Sequence, residues 1–166
     1  MKTINLQFLQ TELNRVSDWI RFSDQKSAFL SVYYTAILGV IISQKKSIIN
    51  NFMTFNSCKL CFYYIIIGCI IISFIIGIIF LFLSVFPRLK NSFTDKSLFY
   101  FGHISKMKPL DYLENMKELT EDEAKRQMAE QIYTNSFIAD IKMKNVQNSI
   151  RFLGILILLL MTSILF

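Results

Sequence analysis

From Leu60 to Phe86 the chain runs for 27 residues without one Asp, Glu, Lys, Arg or His. At a rise of about 1.5 Å per residue, a helix over this stretch exceeds the roughly 30 Å hydrocarbon core of a bilayer. It reads as a transmembrane helix with length to spare for tilt. Two shorter uncharged runs follow the same logic, Ser27 to Ser43 with 17 residues and Phe152 to Phe166 with 15. The first meets the lower limit of a span, and the second approaches it once Asn148 and Ser149 enter the interface. Composition points the same way: 53% of the 166 residues are hydrophobic and 18% charged. Soluble domains are about a quarter charged, so a freely soluble enzyme is disfavoured.

The expected fold class is therefore an all-α membrane protein, with three transmembrane helices and a helical cytoplasmic region continuous with them. The chain is read as one integrated domain, 1–166, because no internal repeat or linker divides it. Its parts are a cytoplasmic amphipathic helix (1–26), a first span (27–43), an outer loop (44–59), a second span (60–86), a cytoplasmic helical region (87–151) and a third span (152–166). Met1 to Lys26 carries seven charges in mixed order, and no small-residue cleavage pattern follows Ser43. The first span is accordingly expected to be retained rather than removed as a signal peptide.

Three spans place the amino terminus and the 87–151 segment on one side, with 4 and 11 basic residues respectively, against Lys45, Lys46 and Lys59 in the loop. The positive-inside bias assigns that side to the cytoplasm and leaves Phe166 at the outer face. All 12 acidic residues fall on the cytoplasmic side as well. A signal read by this chain is then expected to be cytosolic.

Leu6, Leu9, Leu13, Val16 and Ile20 alternate at three and four, the stripe of an amphipathic helix, with Trp19 and Phe22 on its flank near the headgroups. Neither Gly nor Pro separates this helix from the first span. Pro87 is expected to stop the second span, with Arg88 and Lys90 anchoring its end. The aromatic segment Phe93 to His103 reads as a packed, turn-containing stretch bounded by Gly102. Pro109 opens a short helix through Leu119, and Thr120 with Glu123 forms a capping box for a longer one. Beyond Ala129, the positions Ile132, Ser136, Ala139, Met143, Val146 and Ile150 continue a heptad toward the third span. A cytoplasmic part of about 65 residues is marginal as an independent core, which favours a homo-oligomer.

Chemical motifs are sparse. Cys58 and Cys61 form a CxxC with Cys69 nearby, but the single histidine, His103, is placed on the opposite side, so no metal site is expected. No nucleophile and base arrangement, phosphate loop or dinucleotide turn is visible, and catalytic residues are assigned to none. The spans hold no ionisable residue and no Gly/Pro-interrupted pair, which argues against a secondary transporter. What the spans do hold are small residues every fourth position: Ser31, Thr35, Gly39 and Ser43, then Cys69, Ser73 and Gly77. Such stripes bring helices close, either within one subunit or between subunits that line a polar path when the bundle rearranges.

Beside the membrane, Arg21, Lys26, Arg88, Lys142 and Lys144 supply cations, Tyr100 and Tyr133 stacking faces, and Asn135 and Ser136 hydrogen-bonding groups. A small anionic nucleotide needs this inventory, although juxtamembrane cations also serve topology and anionic lipid. Nucleic acid is not expected, because no basic patch stands clear of the membrane.

Four segments carry a family resemblance: DWIRFSDQKSAFL at 18–30, FPRL at 86–89, SLFYFGHIS at 97–105 and EQIYTNSFIADIK at 130–142. In this order and spacing they resemble the transmembrane effector family of Pycsar antiphage systems, a pyrimidine cyclic-nucleotide defence of bacteria. The resemblance implies a helical membrane protein that is silent until a partner cyclase makes a cyclic nucleotide during infection. It then impairs the inner membrane and causes abortive infection, with no cofactor beyond this regulatory ligand, a cyclic pyrimidine nucleotide. Asp24, Lys26, Tyr100 to Gly102, Gln131, Asn135, Ser136 and Lys142 are the family-like polar or special residues. Met143 stands where the family commonly has an aromatic. The competing readings are a non-enzymatic membrane scaffold or small subunit of a larger complex, and an intramembrane enzyme or lipid-modifying protein.

Overall fold

The computed structural model describes residues 5–46, 49–50, 57–86 and 97–165, and no strand occurs among them. The helices are α1 (Leu6–Ser43), α2 (Ser57–Val85), α3 (Phe101–Ile104), α4 (Pro109–Glu118) and α5 (Glu121–Leu165). Three of them, α1, α2 and α5, are long and apolar enough to cross a membrane. Both α1 and α5 run unbroken from a charged segment into an apolar one, the continuity expected from the absence of proline. At about 1.5 Å per residue, the 45 residues of α5 extend about 68 Å. Helix α2 ends at Val85 with Phe86 in a bend. Pro87, Arg88, Lys90 and Phe93 of the expected stop and aromatic segment lie outside the described residues.

Two compact units divide the chain. The first comprises Met1–Phe22 and Pro87–Ile141, the second Ser23–Phe86 and Lys142–Phe166. In the first, Leu9, Leu98, Ala124 and Met128 are buried, while Trp19 and Phe22 stay exposed and meet edge-on at 5.9 Å. The segment before α3 is fastened by side chains: the Ser97 amide donates to His103 Nδ1 at 2.9 Å, and the Leu98 amide to Gln127 Oε1 at 2.9 Å. His103 therefore carries its proton on Nε2 when neutral. Gly102 is set by crowding, since a Cβ there would lie 2.6 Å from Cε1 of Tyr100.

Helix α4 opens on proline, and α5 opens on the expected cap, where the Glu123 amide donates to Thr120 Oγ1 at 3.3 Å. Three acidic residues in the first turn of α5 complement its dipole. The hydrogen bond from Lys125 to Glu121, then the charge of the lysine, holds the Glu121 carboxyl below its ordinary range. Replacing Thr120 with alanine should destabilise the first unit by about 1 kcal/mol, the usual loss for a helix cap. A thermal melt of the purified chain that is superimposable on the parent would contradict this assignment.

The buried face of α5 departs from the expected heptad. The buried residues are Ala124, Gln127, Met128, Gln131, Thr134, Lys142, Val146, Ser149, Leu153 and Leu156, whereas Ser136 and Ile150 are exposed. Of the expected stripe only Val146 is buried, and the seam sits one residue toward the amino terminus. Polar residues occupy so many seam positions that a count of apolar ones selects the neighbouring face.

In the second unit, α1, α2 and α5 pack an apolar cluster of Leu30, Tyr34, Ile66, Ile70, Leu81, Val146, Leu153 and Leu156. Each helix presents a narrow 3–4 seam inward. On α2 it reads Tyr63, Ile66, Ile70, Ser73, Gly77, Leu81 and Ser84. Large apolar side chains such as Phe29, Val32, Ile71, Ile72 and Phe82 point outward, 52–69% exposed, a surface that suits lipid and not water.

Candidate functional site

Extending the α1 stripe beyond Ile20 by the same spacing reaches Ser23, Ser27, Leu30 and Tyr34, and all four are buried. Their neighbours on α2 and α5 make a polar seam inside the second unit. At one end, the Lys142 ammonium donates to an Asp24 carboxylate oxygen at 2.5 Å. The lysine side chain is only 8% exposed, the aspartate 46%. The lysine depends on this partner far more than the aspartate does.

Next comes a pair of hydroxyls, Ser27 and Ser84, with Oγ atoms 2.5 Å apart. Ser27 is also 3.0 Å from the Ser23 carbonyl and Ser84 2.9 Å from that of Leu81. Two protons serve three contacts, so donor and acceptor can exchange within the pair. One heptad further, Tyr34 Oη donates to the Ser149 carbonyl at 2.9 Å, and Ser149 Oγ donates to the Gly77 carbonyl at 3.0 Å. Gly77 is needed here, because a Cβ would lie 2.0 Å from Tyr34 Oη. The pairing of Ser27 with Ser84 and Tyr34 with Gly77 is one heptad apart on both helices, which fixes α1 and α2 as antiparallel neighbours in register. Ser23 Oγ is fully buried and has no hydrogen-bond partner among the described residues. Such a hydroxyl costs about 1–3 kcal/mol in a folded interior.

The small-residue stripes separate in the structure. Ser73 and Gly77 are buried within the second unit, whereas Ser31, Thr35, Gly39, Ser43 and Cys69 face outward. The outward hydroxyls are satisfied by their own helix: Ser31 donates to Ala28 at 2.6 Å, Thr35 to Ser31 at 2.8 Å and Ser43 to Val40 at 2.8 Å. Cys61 and Cys69 are free, exposed thiols, while the side chain of Cys58 lies outside the described ones. No group of three or more metal-binding side chains occurs among the described residues.

The residues considered for a nucleotide divide between the units. Lys26 and Lys142 lie in the second, Tyr100, Tyr133, Asn135 and Ser136 in the first. Tyr133 is 63% exposed on one side of α5, whereas Asn135 turns to the other and accepts from Gln131 Nε2 at 3.0 Å. Ser136 donates to the Ile132 carbonyl at 2.8 Å. Tyr100 is buried and meets His103 edge-on at 5.0 Å. The first unit contains a cleft of about 240 Å³ lined by Leu98, Met107, Asn115, Glu118, Leu119, Glu123 and Gln127. The sequence reading did not single out this cleft, because its lining comes from three separate segments. Its amides and carboxylates suit a hydrogen-bonding edge, and none of its lining residues is basic.

The polar seam joins two of the segments noted in the sequence: Asp24 comes from 18–30, and Lys142 closes 130–142. A family model described as the Pycsar effector protein domain matches residues 8–166. The chain belongs to the Pycsar effector protein domain family. No curated protein and no solved structure matches it. Membership makes it a Pycsar effector of antiphage defence, and its three membrane-spanning candidates agree with a transmembrane effector. The family-like segments of this Pycsar effector are structural nodes: one end of 97–105 is held to Gln127 through Leu98, and 18–30 supplies Ser23, Asp24 and Ser27 to the seam.

Proposed function

We propose that the chain is activated by a cyclic nucleotide, made by a partner cyclase, to impair the inner membrane and cause abortive infection. The observation that carries this reading is α5, a single helix that runs unbroken from a polar segment into an apolar one. A ligand that favours one arrangement of the polar segment biases the apolar segment too, provided that it binds the two arrangements unequally. The signal is a cyclic pyrimidine nucleotide, whose base edge matches the amides Asn115 and Gln127 of the cleft in chemistry. The amino terminus is cytoplasmic, and the active form is a homo-oligomer in contact with membrane lipid.

Expressing the chain with and without a pyrimidine nucleotide cyclase, while following a potential-sensitive dye, tests this. Depolarisation is expected only when both proteins are present. Unchanged potential in cells shown to accumulate the cyclic nucleotide would sink the proposal.

A further inference from the structure

Three helices in lipid need no polar core, and Leu, Ile and Ala would fill this one without an unmet hydrogen bond. The second unit instead sets two hydroxyl layers, Ser27 with Ser84 and Tyr34 with Ser149, on either side of an apolar layer of Leu30, Leu81 and Val146. From Ser23 to Tyr34 is eleven residues, about 17 Å along α1, just over half of a hydrocarbon core of roughly 30 Å. Within that distance lie the Asp24 and Lys142 pair, the unpartnered Ser23 hydroxyl, the Ser27 and Ser84 pair, and Tyr34 with Ser149. One heptad beyond Tyr34, Gly77 and Ser149 the same seams carry Ile41, Ile70 and Leu156, all in or packed against the apolar cluster.

We propose that this seam is itself a proton- and water-conducting path, closed at rest by two apolar layers: Leu30, Leu81 and Val146 between the hydroxyl pairs, and Ile41, Ile70 and Leu156 beyond them. The proposal rests on the membrane-impairing reading and assigns the permeation route to the inside of one bundle, not to an interface between copies. A hydroxyl both donates and accepts, so each serine can take a proton on its oxygen and release its own onward, ending unchanged. The Ser23 hydroxyl, fully buried without a partner, is the group left ready for a water molecule when the helices part. Apolar constrictions gate such paths by dewetting, and the isoleucine and leucine layer has that character.

The test uses the full chain in liposomes carrying an internal pH dye, with 3′,5′-cyclic CMP or 3′,5′-cyclic UMP as the activator. Ser23→Ala/Ser27→Ala/Ser84→Ala keeps the side-chain volumes nearly constant and should lower activated proton flux about tenfold with unchanged insertion. Ile70→Ser should conduct without any nucleotide, about tenfold above the parent chain. A parent chain that ignores both nucleotides while Ile70→Ser conducts removes the ligand from the reading and leaves the seam standing. Full flux in the triple variant together with a silent Ile70→Ser overturns the seam and leaves the effector reading intact. In a variant with Cys58, Cys61 and Cys69 replaced by alanine, Ser27→Cys should react with a charged thiol reagent at least tenfold faster after activation. Activation-dependent labelling of Thr35→Cys alone would place the route between copies and overturn the proposal.

Discussion

Replacing Asp24 with asparagine should destabilise the second unit by about 3 kcal/mol, more than the reciprocal change Lys142→Met at about 1 kcal/mol. The asymmetry follows from exposure. Without Asp24, an ammonium on a side chain only 8% exposed loses its charged partner inside an apolar bundle. Without Lys142, the remaining carboxylate is 46% exposed and keeps access to polar surroundings. Asp24→Asn combined with Lys142→Met should recover most of the loss, because the cost comes from the unpaired charge and not from the missing bond. Denaturant titrations of the detergent-solubilised chain would measure all three variants. Equal losses in the two single variants would show that the exposure difference does not govern the pair.

Gly77→Ala should cost about 2–3 kcal/mol, an unusual penalty for adding one methyl group. The new Cβ falls 2.0 Å from Tyr34 Oη and 2.7 Å from its Cζ. A tyrosine ring at a surface would swing aside, but this one is 2% exposed and its hydroxyl is committed to the Ser149 carbonyl. Moving it breaks that bond and forces the ring into Phe74, which packs edge-on at 5.8 Å. Tyr34→Ala should therefore absorb the added methyl, so that the double variant is scarcely less stable than Tyr34→Ala alone. Strictly additive losses would mean that the two positions do not meet. Because the clash is within one chain, the Gly77→Ala penalty should also be independent of protein concentration.

How far the sequence led depends on what kind of residue marks each surface. Lipid-facing surfaces carry no charged residue over long runs, so Leu60 to Phe86 and the apolar ends of α1 and α5 could be located by counting. The seam of α1 was equally accessible, since Leu6, Leu9, Leu13, Val16 and Ile20 set a spacing that leads directly to Ser23, Ser27 and Tyr34. It went unused there because serine in a span looks like a packing residue, not a continuation of a stripe. On α5 the same effect was stronger: Gln131, Thr134, Lys142 and Ser149 hold the inward positions, and the apolar count settled one residue away. The family-like segments pointed to Asp24 and Lys142 separately, but their pairing across 118 positions is a property of the fold. The cleft of the first unit was illegible for the same reason, being assembled from α4 and from residues before and after it.

Five of the six serine and threonine hydroxyls in the apolar segments of α1 and α2 have a carbonyl of their own helix within reach, at Ser27, Ser31, Thr35, Ser43 and Ser84. Each of these helices can thus enter a bilayer alone, its serines and threonines already satisfied before any neighbour arrives. Tyr34 and Ser149 differ, because their partners lie on another helix. Biogenesis can then proceed by independent insertion followed by one registering event, in which the tyrosine finds the gap above Gly77 and stops the helices from sliding. A chain altered at that layer would still be threaded into the membrane in full amount, yet would mature as three neighbours without a common register.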